Sequence, residues 1–253
     1  MRSTVFGVST LQVGVAYPDP PFNSMPGDTG LDIELMTALA GALGESVNFI
    51  AYGGSDVDGV AACSDFDGIF ARLEAGDFDC VAAGTTVTPA RERHATFLPP
   101  YLISGQALAV DTGRLPHVHS VDDLDGLTIG VQRGNTSEGL AERLVADGKA
   151  ERVRVYDYAD IGTALADLTR GGCDAVLKLA PVLSELVKPL PGVEVVQKGL
   201  SVENIAIAVA AADQALAARL RVAQAELEED GTLQRIRRKW LGNPYVDQGL
   251  GVL

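Results

Sequence analysis

Apolar and polar positions along the chain follow a pattern that predicts strands and helices in turn. Residues 11–16 (LQVGVA) form a short apolar run typical of a strand, and residues 31–44 (LDIELMTALAGALG) repeat apolar side chains at helical spacing. Asp32 and Glu34 lie in the first turn of that helix, and Gly44 fits its end. A strand, a helix and a strand are then predicted over residues 46–52, 66–76 and 77–84.

The same order of elements begins again at residue 127. Strands are predicted at 127–132, 153–158, 173–179, 193–199 and 205–210, with helical patterns between them and at the end of the chain. This alternation predicts an α/β protein with mostly parallel strands. The two similar blocks, near residues 11–108 and 127–196, predict two lobes separated by the polar link 110–126.

Composition narrows the classes of function. The formal net charge of −14 argues against binding to nucleic acid, although it leaves room for a small anion in a local positive pocket. The longest apolar run, residues 205–212, is too short to cross a membrane. No signal-peptide pattern is visible, so two alternatives stay open: an extracytoplasmic protein whose signal was removed, and a cytosolic protein.

The sequence predicts neither a metal site nor a cofactor site. Its three cysteines do not form a disulfide framework; we expect Cys80 and Cys173 to be buried and Cys63 to be exposed. No cysteine or histidine spacing is typical of a metal site, and the chain has no dinucleotide fingerprint, P-loop or nucleophile elbow.

An arginine stands in an unusual place in residues 84–93 (GTTVTPARER). Thr88 followed by Pro89 predicts the start of a helix, which places Arg91 in its first turn. That end of a helix favours acidic side chains, so a cation there suits a site where a bound anion shares the helix end. The alternative is an exposed Arg91 paired with a nearby carboxylate. Residues 133–138 (RGNTSE) offer a second such loop, although Glu138 also suits ordinary capping.

Several segments together resemble the amino-acid type of bacterial extracellular solute-binding proteins that serve ABC importers. They include PPF at 20–22, AGTTVTPARER at 83–93, PYLISGQALAV at 100–110 and GTLQRIRRKWLG at 231–242, and the resemblance covers roughly residues 11–242. It implies the two-lobed, type II periplasmic-binding-protein-like α/β fold, with ligand held in a cleft between the lobes. Residues 1–109 and 200–253 are then expected to form one lobe and residues 110–199 the other.

The resemblance also implies roles for individual residues. Arg91 matches the arginine that grips a carboxylate, Thr86 the hydroxyl residue beside it, and Gly84 a backbone ligand. The other matched positions are an aromatic that packs on the ligand and two residues of the second lobe: Phe66, Thr136 and Gln132.

Some positions depart from the family pattern. The carboxylate that usually receives the ligand's ammonium is replaced by Leu179, beside Lys178, and an aromatic position is Asp19. The ligand then either lacks an α-amino group or is held by Asp19 or Glu203 instead. Lys178 suits a second anionic or carbonyl group of the ligand, or else it points to solvent.

The leading hypothesis is therefore a monomeric, non-enzymatic protein that binds a small carboxylate and docks on the membrane subunits of an ABC importer. One alternative is an enzyme similar to the cyclohexadienyl dehydratases of the same fold, although the position of their general-acid glutamate holds Val182. Another alternative is a ligand-sensing domain that regulates a partner protein.

Overall fold

The computed structural model describes residues 4–5, 8–24, 28–53 and 64–242, and their strands form two large sheets and a small one. The first sheet contains β1 (Thr4–Val5), β2 (Val8–Ala16), β3 (Ser46–Tyr52), β4 (Cys80–Val81), β5 (Ala95–Phe97) and β13 (Ala208–Ala210). The second contains β7 (Gln106–Asp111), β8 (Thr128–Gln132), β9 (Arg152–Tyr156), β10 (Ala175–Leu179) and β11 (Val193–Gln197). β6 (Leu102–Ser104) and β12 (Glu203–Ile205) pair with each other between them.

Helices cover both large sheets. α1 (Leu31–Ala42) and α2 (Gly68–Glu74) lie on the first sheet with the C-terminal helices α6 (Gln214–Glu229) and α7 (Thr232–Leu241). The second sheet is covered by α3 (Thr136–Ala146), α4 (Ile161–Arg170) and α5 (Ala180–Val187). We call the first sheet with its helices the first lobe, and the second sheet with its helices the second lobe. Apolar side chains fill both faces of each sheet, so each lobe has its own core.

The strand directions are more mixed than the sequence predicts. β2 runs parallel to β3 and β4, and β8 runs parallel to β9 and β10. β7 is antiparallel to β10 and β11, however, and β13 is antiparallel to β4 and β5. The expectation of mostly parallel strands is wrong because the strands that enter a sheet from the other lobe run against its parallel core.

Two chain segments connect the lobes, and they lie side by side. Gly105 separates β6 from β7, and a Cβ atom there would come within 3.0 Å of the carbonyl carbon of Ser201 in the second connection. The absence of a side chain at residue 105 therefore allows the two segments to approach. The expected lobe boundary at residue 109 falls inside β7, which pairs in the second sheet from Gln106 to Asp111.

Two further expectations can be compared with the described residues. Cys80 and Cys173 are free and buried, which confirms the prediction for both. Cys63 lies outside the described residues. In the part of the chain that the structure describes, no helix has the length and apolar character needed to cross a membrane.

Candidate functional site

A cleft between the two lobes brings together most of the residues that the sequence singled out. It encloses a small cavity of about 30 Å³ that is partly open to solvent. The first lobe lines it with Asp19, Phe22, Phe66, Ala83, Gly84, Thr86 and Arg91. The second lobe contributes Gln106, Asn135, Thr136, Lys178, Leu179 and Val182.

The corner at Gly84 shapes the first-lobe wall. Gly84 has φ of +56°, and a Cβ atom there would lie 2.8 Å from the ring of Phe22. Both facts favour glycine, because the left-handed conformation strains other residues. The Gly84 amide donates to Asp32 Oδ2 at 2.7 Å, and the Tyr101 hydroxyl donates to Asp32 Oδ1 at 2.6 Å. Asp32 therefore anchors this corner from the first turn of α1.

Asp32 is fully buried, and that burial raises the pKa of its carboxyl group to about 6. The hydrogen bonds from Tyr101 and Gly84 favour the ionised form and act in the opposite direction. The acid that the sequence placed only in the first turn of a helix is thus a buried anchor of the cleft wall.

The Arg91 guanidinium is 5% exposed and is held by both lobes. Its Nε donates to Asp67 Oδ1 at 2.8 Å and one Nη to the Thr86 carbonyl at 2.9 Å. The other Nη donates to the carbonyl of Gly134, in the second lobe, at 3.0 Å. These bonds use three of the five guanidinium N–H groups, so two remain without a partner among the described residues.

Aromatic rings fix the plane of this guanidinium. Its central carbon lies 4.9 Å from the ring centre of Phe66 and 5.6 Å from that of Phe70, which are cation–π distances. Phe66 and Phe70 belong to a buried cluster of the first lobe. The rings and Asp67 thus orient Arg91 before any ligand arrives.

The predicted helix at Arg91 needs a correction. The Thr88 hydroxyl accepts from the Arg91 amide at 3.2 Å, as expected of a cap, but the helix is a 3-10 turn of only three residues, Arg91–Arg93. So short a helix has little dipole, so the expectation that a bound anion shares the helix end with Arg91 is not supported here. The alternative of an exposed Arg91 is also wrong, because the side chain is buried.

Lys178 and Asp19 face each other across the cleft. Lys178 Nζ lies 2.9 Å from Asp19 Oδ1, and both residues are buried. Lys178 also donates to Gln132 Oε1 at 2.6 Å, and the Tyr158 hydroxyl donates to Asp19 Oδ2 at 2.8 Å. The alternative in which Lys178 points to solvent is therefore wrong.

Glu203, on β12, collects hydroxyl and amide donors from around the junction of the lobes. Its Oε2 accepts from Thr86 at 2.5 Å and from Thr136 at 2.9 Å. Its Oε1 accepts from Gln106 Nε2 at 2.9 Å and from the Ser201 hydroxyl at 2.8 Å. The Gln106 amide also donates to Thr136 Oγ1 at 3.0 Å.

Backbone contacts close the cleft at its rim. The Phe66 amide donates to the carbonyl of Arg133 at 3.2 Å, and the Tyr158 amide donates to that of Ser64 at 3.0 Å. Gly134, with φ of +75°, approaches the backbone amides of residues 66 and 67 so closely that a Cβ atom would come within 2.9 Å of both. The lobes therefore touch on this side, and the structure describes a closed arrangement.

The structure thus sorts the nine predicted site residues into two groups. Seven of them line the cavity: Asp19, Phe66, Gly84, Thr86, Arg91, Thr136 and Lys178. Gln132 and Glu203 lie behind the wall, where they support Lys178 and the two threonines. Ligand contact by any of them stays a prediction.

Sequence reasoning missed Gln106, Asn135 and Asp67, which line or support the cleft. Asn135 is part of the RGNTSE loop and Gln106 is part of the PYLISGQ segment, so the motifs themselves contain a signal for both residues. In the described part of the chain, no group of His, Cys, Asp and Glu side chains is arranged to hold a metal ion.

Comparisons with known proteins place this cleft in context. The family model described as bacterial extracellular solute-binding proteins, family 3, matches residues 11–243. L-cystine-binding protein TcyJ of Escherichia coli strain K12 is 30% identical over 237 residues, 92% of this chain and 83% of that protein. ABC transporter arginine-binding protein 1 of the same strain is 27% identical, with 95% of each chain covered.

Solved structures agree in fold. An ancestral arginine-binding protein bound to arginine is 34% identical with a TM-score of 0.80, covering 92% of this chain and 98% of that one. The ancestral amino acid-binding protein AncCDT-1, a precursor of cyclohexadienyl dehydratase, is 29% identical with a TM-score of 0.78, covering 91% and 95%.

Proposed function

The chain belongs to family 3 of the bacterial extracellular solute-binding proteins, and from that membership we propose that it traps a small carboxylate-bearing molecule between its lobes for an ABC-type importer. The relatives are named for cystine and arginine, which are amino acids. An amino acid or a similar carboxylate is therefore the proposed ligand class. Action outside the cytoplasm, as a monomer that docks on importer membrane subunits, is part of the same proposal.

The observation that carries the proposal is Arg91. It is a buried cation at the wall of a cleft between two lobes, with two N–H groups that no described residue uses. A carboxylate can accept two parallel hydrogen bonds from a guanidinium, and such charge-assisted bonds are strong where water is excluded. We propose that the ligand carboxylate completes the arginine's hydrogen bonding.

The proposed binding sequence starts on the first lobe. The carboxylate docks on Arg91, beside Thr86, and the second lobe then moves toward it by hinge motion at the two connecting segments. We propose that these segments divide the chain at Gly105 and near residue 200, with residues 200–242 returning to the first lobe; residues 243–253 of the expected lobe lie outside the described residues. Thr136 and Gln106 reach the cleft only when the lobes are together, so ligand contact with them stabilises the closed arrangement.

Isothermal titration calorimetry on matched variants tests this proposal. A panel of amino acids and simple carboxylates first identifies a ligand, and its Kd is then measured for Arg91→Ala, Arg91→Lys and Arg93→Ala. Loss of two charge-assisted hydrogen bonds weakens binding by about 100-fold or more. Arg91→Lys keeps the positive charge but lacks the paired N–H groups of the guanidinium, so we expect its Kd to lie between those of the wild type and Arg91→Ala.

Arg93→Ala is the control, because Arg93 is an exposed arginine two positions away whose Nη contacts only the Pro89 carbonyl among the described residues. An Arg91→Ala protein that unfolds cooperatively and keeps the wild-type Kd contradicts the proposed site.

We propose binding without turnover, and the cavity lining supports it. Val182, at the position where the dehydratases are expected to have their general acid, is a cavity-lining valine, and Asp19 is the only carboxylate residue among the described ones that line the cavity. Asp19 is in turn paired with Lys178. Incubation with prephenate or arogenate, followed by absorbance of an aromatic product, tests the enzymatic alternative; product that depends on Asp19 would favour it.

A further inference from the structure

The Lys178–Asp19 ion pair forms one wall of the cavity and crosses between lobes. Asp19 comes from the loop after β2 in the first lobe, and Lys178 from β10 in the second. Both side chains line the cavity, and they are 8% and 4% exposed. A ligand that extends in this direction meets the pair, and separating it leaves two buried charges without partners, which is costly.

Further contacts hold each member of the pair in place. Lys178 is tied to Gln132 Oε1, and Gln132 Nε2 donates to the Tyr158 carbonyl at 2.5 Å. Asp19 is tied to the Tyr158 hydroxyl at 2.8 Å. The four residues therefore form a connected network through their side chains and the Tyr158 backbone carbonyl, so the wall does not swing aside by rotation of a single side chain.

One buried acceptor of a cavity-lining residue, Gln106 Oε1, has no hydrogen-bond donor among the described residues. The Gln106 orientation is fixed because its Nε2 donates to Glu203 and Thr136. Buried acceptors are nearly always paired in proteins, so Gln106 Oε1 calls for a donor from the ligand. Asp19 Oδ1 already has Lys178 Nζ at 2.9 Å as its ion-pair partner, and a carboxylate oxygen has the capacity to accept from a second donor.

We infer that the Lys178–Asp19 pair determines which solutes bind: it admits amino acids with short side chains, whose ammonium donates to Asp19 Oδ1 and Gln106 Oε1, and excludes those with long side chains. This inference rests on the proposed function, in which the carboxylate of the same molecule docks on Arg91. It gives the ligand an α-amino group although Leu179 stands where a carboxylate is expected, because the acceptors come from Asp19 and Gln106 instead. It also separates this chain from relatives named for arginine, whose side chain is long.

Calorimetry with the wild-type chain tests both parts. Glycine, L-alanine and L-serine are titrated beside L-arginine, L-lysine and L-cystine, and propionate serves as the deaminated partner of alanine. We expect the short amino acids to bind at least ~10-fold more tightly than the long ones. We expect propionate to bind at least ~10-fold more weakly than alanine, since it cannot donate to the two acceptors.

A double variant tests the wall itself. Asp19→Ser with Lys178→Ala removes both charges together, so that neither stays buried alone. We expect it to weaken alanine binding and to bring arginine within ~3-fold of alanine or better, because the wall is gone. Lys198→Ala, at an exposed lysine of the second lobe outside this cavity, is the control and leaves the ligand preference unchanged. A thermal unfolding curve verifies that each variant folds.

The outcomes are distinguishable. If the wild-type chain binds arginine as tightly as alanine, or propionate as tightly as alanine, while Arg91→Ala still abolishes binding, the inference is wrong and the proposed function stands. If no amino acid or carboxylate binds the wild-type chain, the proposed function fails and the inference fails with it. The wild-type titrations decide between these results even if the double variant does not fold.

Discussion

Replacing Glu203 tests whether the junction between the lobes is built around one buried carboxylate. Glu203 is 6% exposed and accepts four hydrogen bonds, from Thr86, Thr136, Gln106 and Ser201. None of these partners carries a positive charge. Among the described residues, hydrogen bonds and no salt bridge hold this carboxylate, so its contribution to stability depends on the donors that it satisfies.

The structure sets the expected magnitude. Glu203→Ala removes the acceptor of all four donors. The Thr86 hydroxyl and one N–H of Gln106 are then left buried without an acceptor, whereas Thr136 and Ser201 are half-buried and can donate to water. Each buried donor left unsatisfied costs about 1–3 kcal/mol, so we expect a loss of about 3 kcal/mol in the free energy of unfolding. Glu203→Gln keeps the shape, and the hydroxyls can turn to accept from its amide. The hydrogen bonds to the neutral amide are weaker than those to the carboxylate, but Glu203→Gln no longer buries a charge. Because these two effects oppose each other, we expect its free energy of unfolding to change by no more than about 1 kcal/mol.

Urea unfolding of the two variants and the wild-type chain measures this difference. The comparison of Ala with Gln at one position separates the loss of an acceptor from the loss of charge. We expect Glu203→Ala to lie at least about 2 kcal/mol below Glu203→Gln, with unchanged m-values. Two variants that agree within about 0.5 kcal/mol would show that Glu203 does not satisfy buried donors in this way, since substitutions at the surface have effects of that size.

Two further predictions concern the corner at Gly84. Burial raises the Asp32 pKa to about 6 from 3.8, so the native state holds the Asp32 proton more tightly than the unfolded state does. The stabilisation from this proton is complete below pH 3.8. It is lost, by about 3 kcal/mol in total, as pH rises through 6. Urea titrations at pH 4 and pH 7 should show this loss in the wild-type chain but not in Asp32→Asn; the same pH dependence in both would contradict it. Gly84→Ala should cost about 1–3 kcal/mol and weaken ligand binding, because of the positive φ and the Phe22 ring. Its control, Gly41→Ala in α1, meets no atom within 4 Å and should stabilise the chain by up to about 1 kcal/mol; a Gly84→Ala chain as stable as the wild type would argue against a constrained corner.

Periodicity predicted the helices well because their apolar positions repeat over two or more turns. The helix predicted over residues 31–44 appears as α1, and the helical pattern predicted between the strands at 127–132 and 153–158 appears as α3. Strand direction was not predictable in the same way, because it depends on which strand lies beside which. β7 and β13 run antiparallel to their neighbours only because the chain has crossed between lobes before reaching them.

The cleft residues were predictable where a local motif marked them. Arg91 and Thr86 stand in one short segment, and both line the cavity. Asp67 left no such signal, since its contact with Arg91 joins residues 24 positions apart. Lys178 was ambiguous because only the fold brings Asp19 within 2.9 Å of it and so allows a lysine to be buried.

A crystal structure of the chain grown with L-alanine, or with the tightest ligand from the calorimetric panel, shows directly whether the ligand carboxylate binds Arg91. We expect a ligand carboxylate oxygen at about 3 Å from the Arg91 guanidinium, with the ligand in the cleft between the lobes. A ligand bound elsewhere, or one in the cleft whose carboxylate does not touch Arg91, would show that Arg91 is not the carboxylate site.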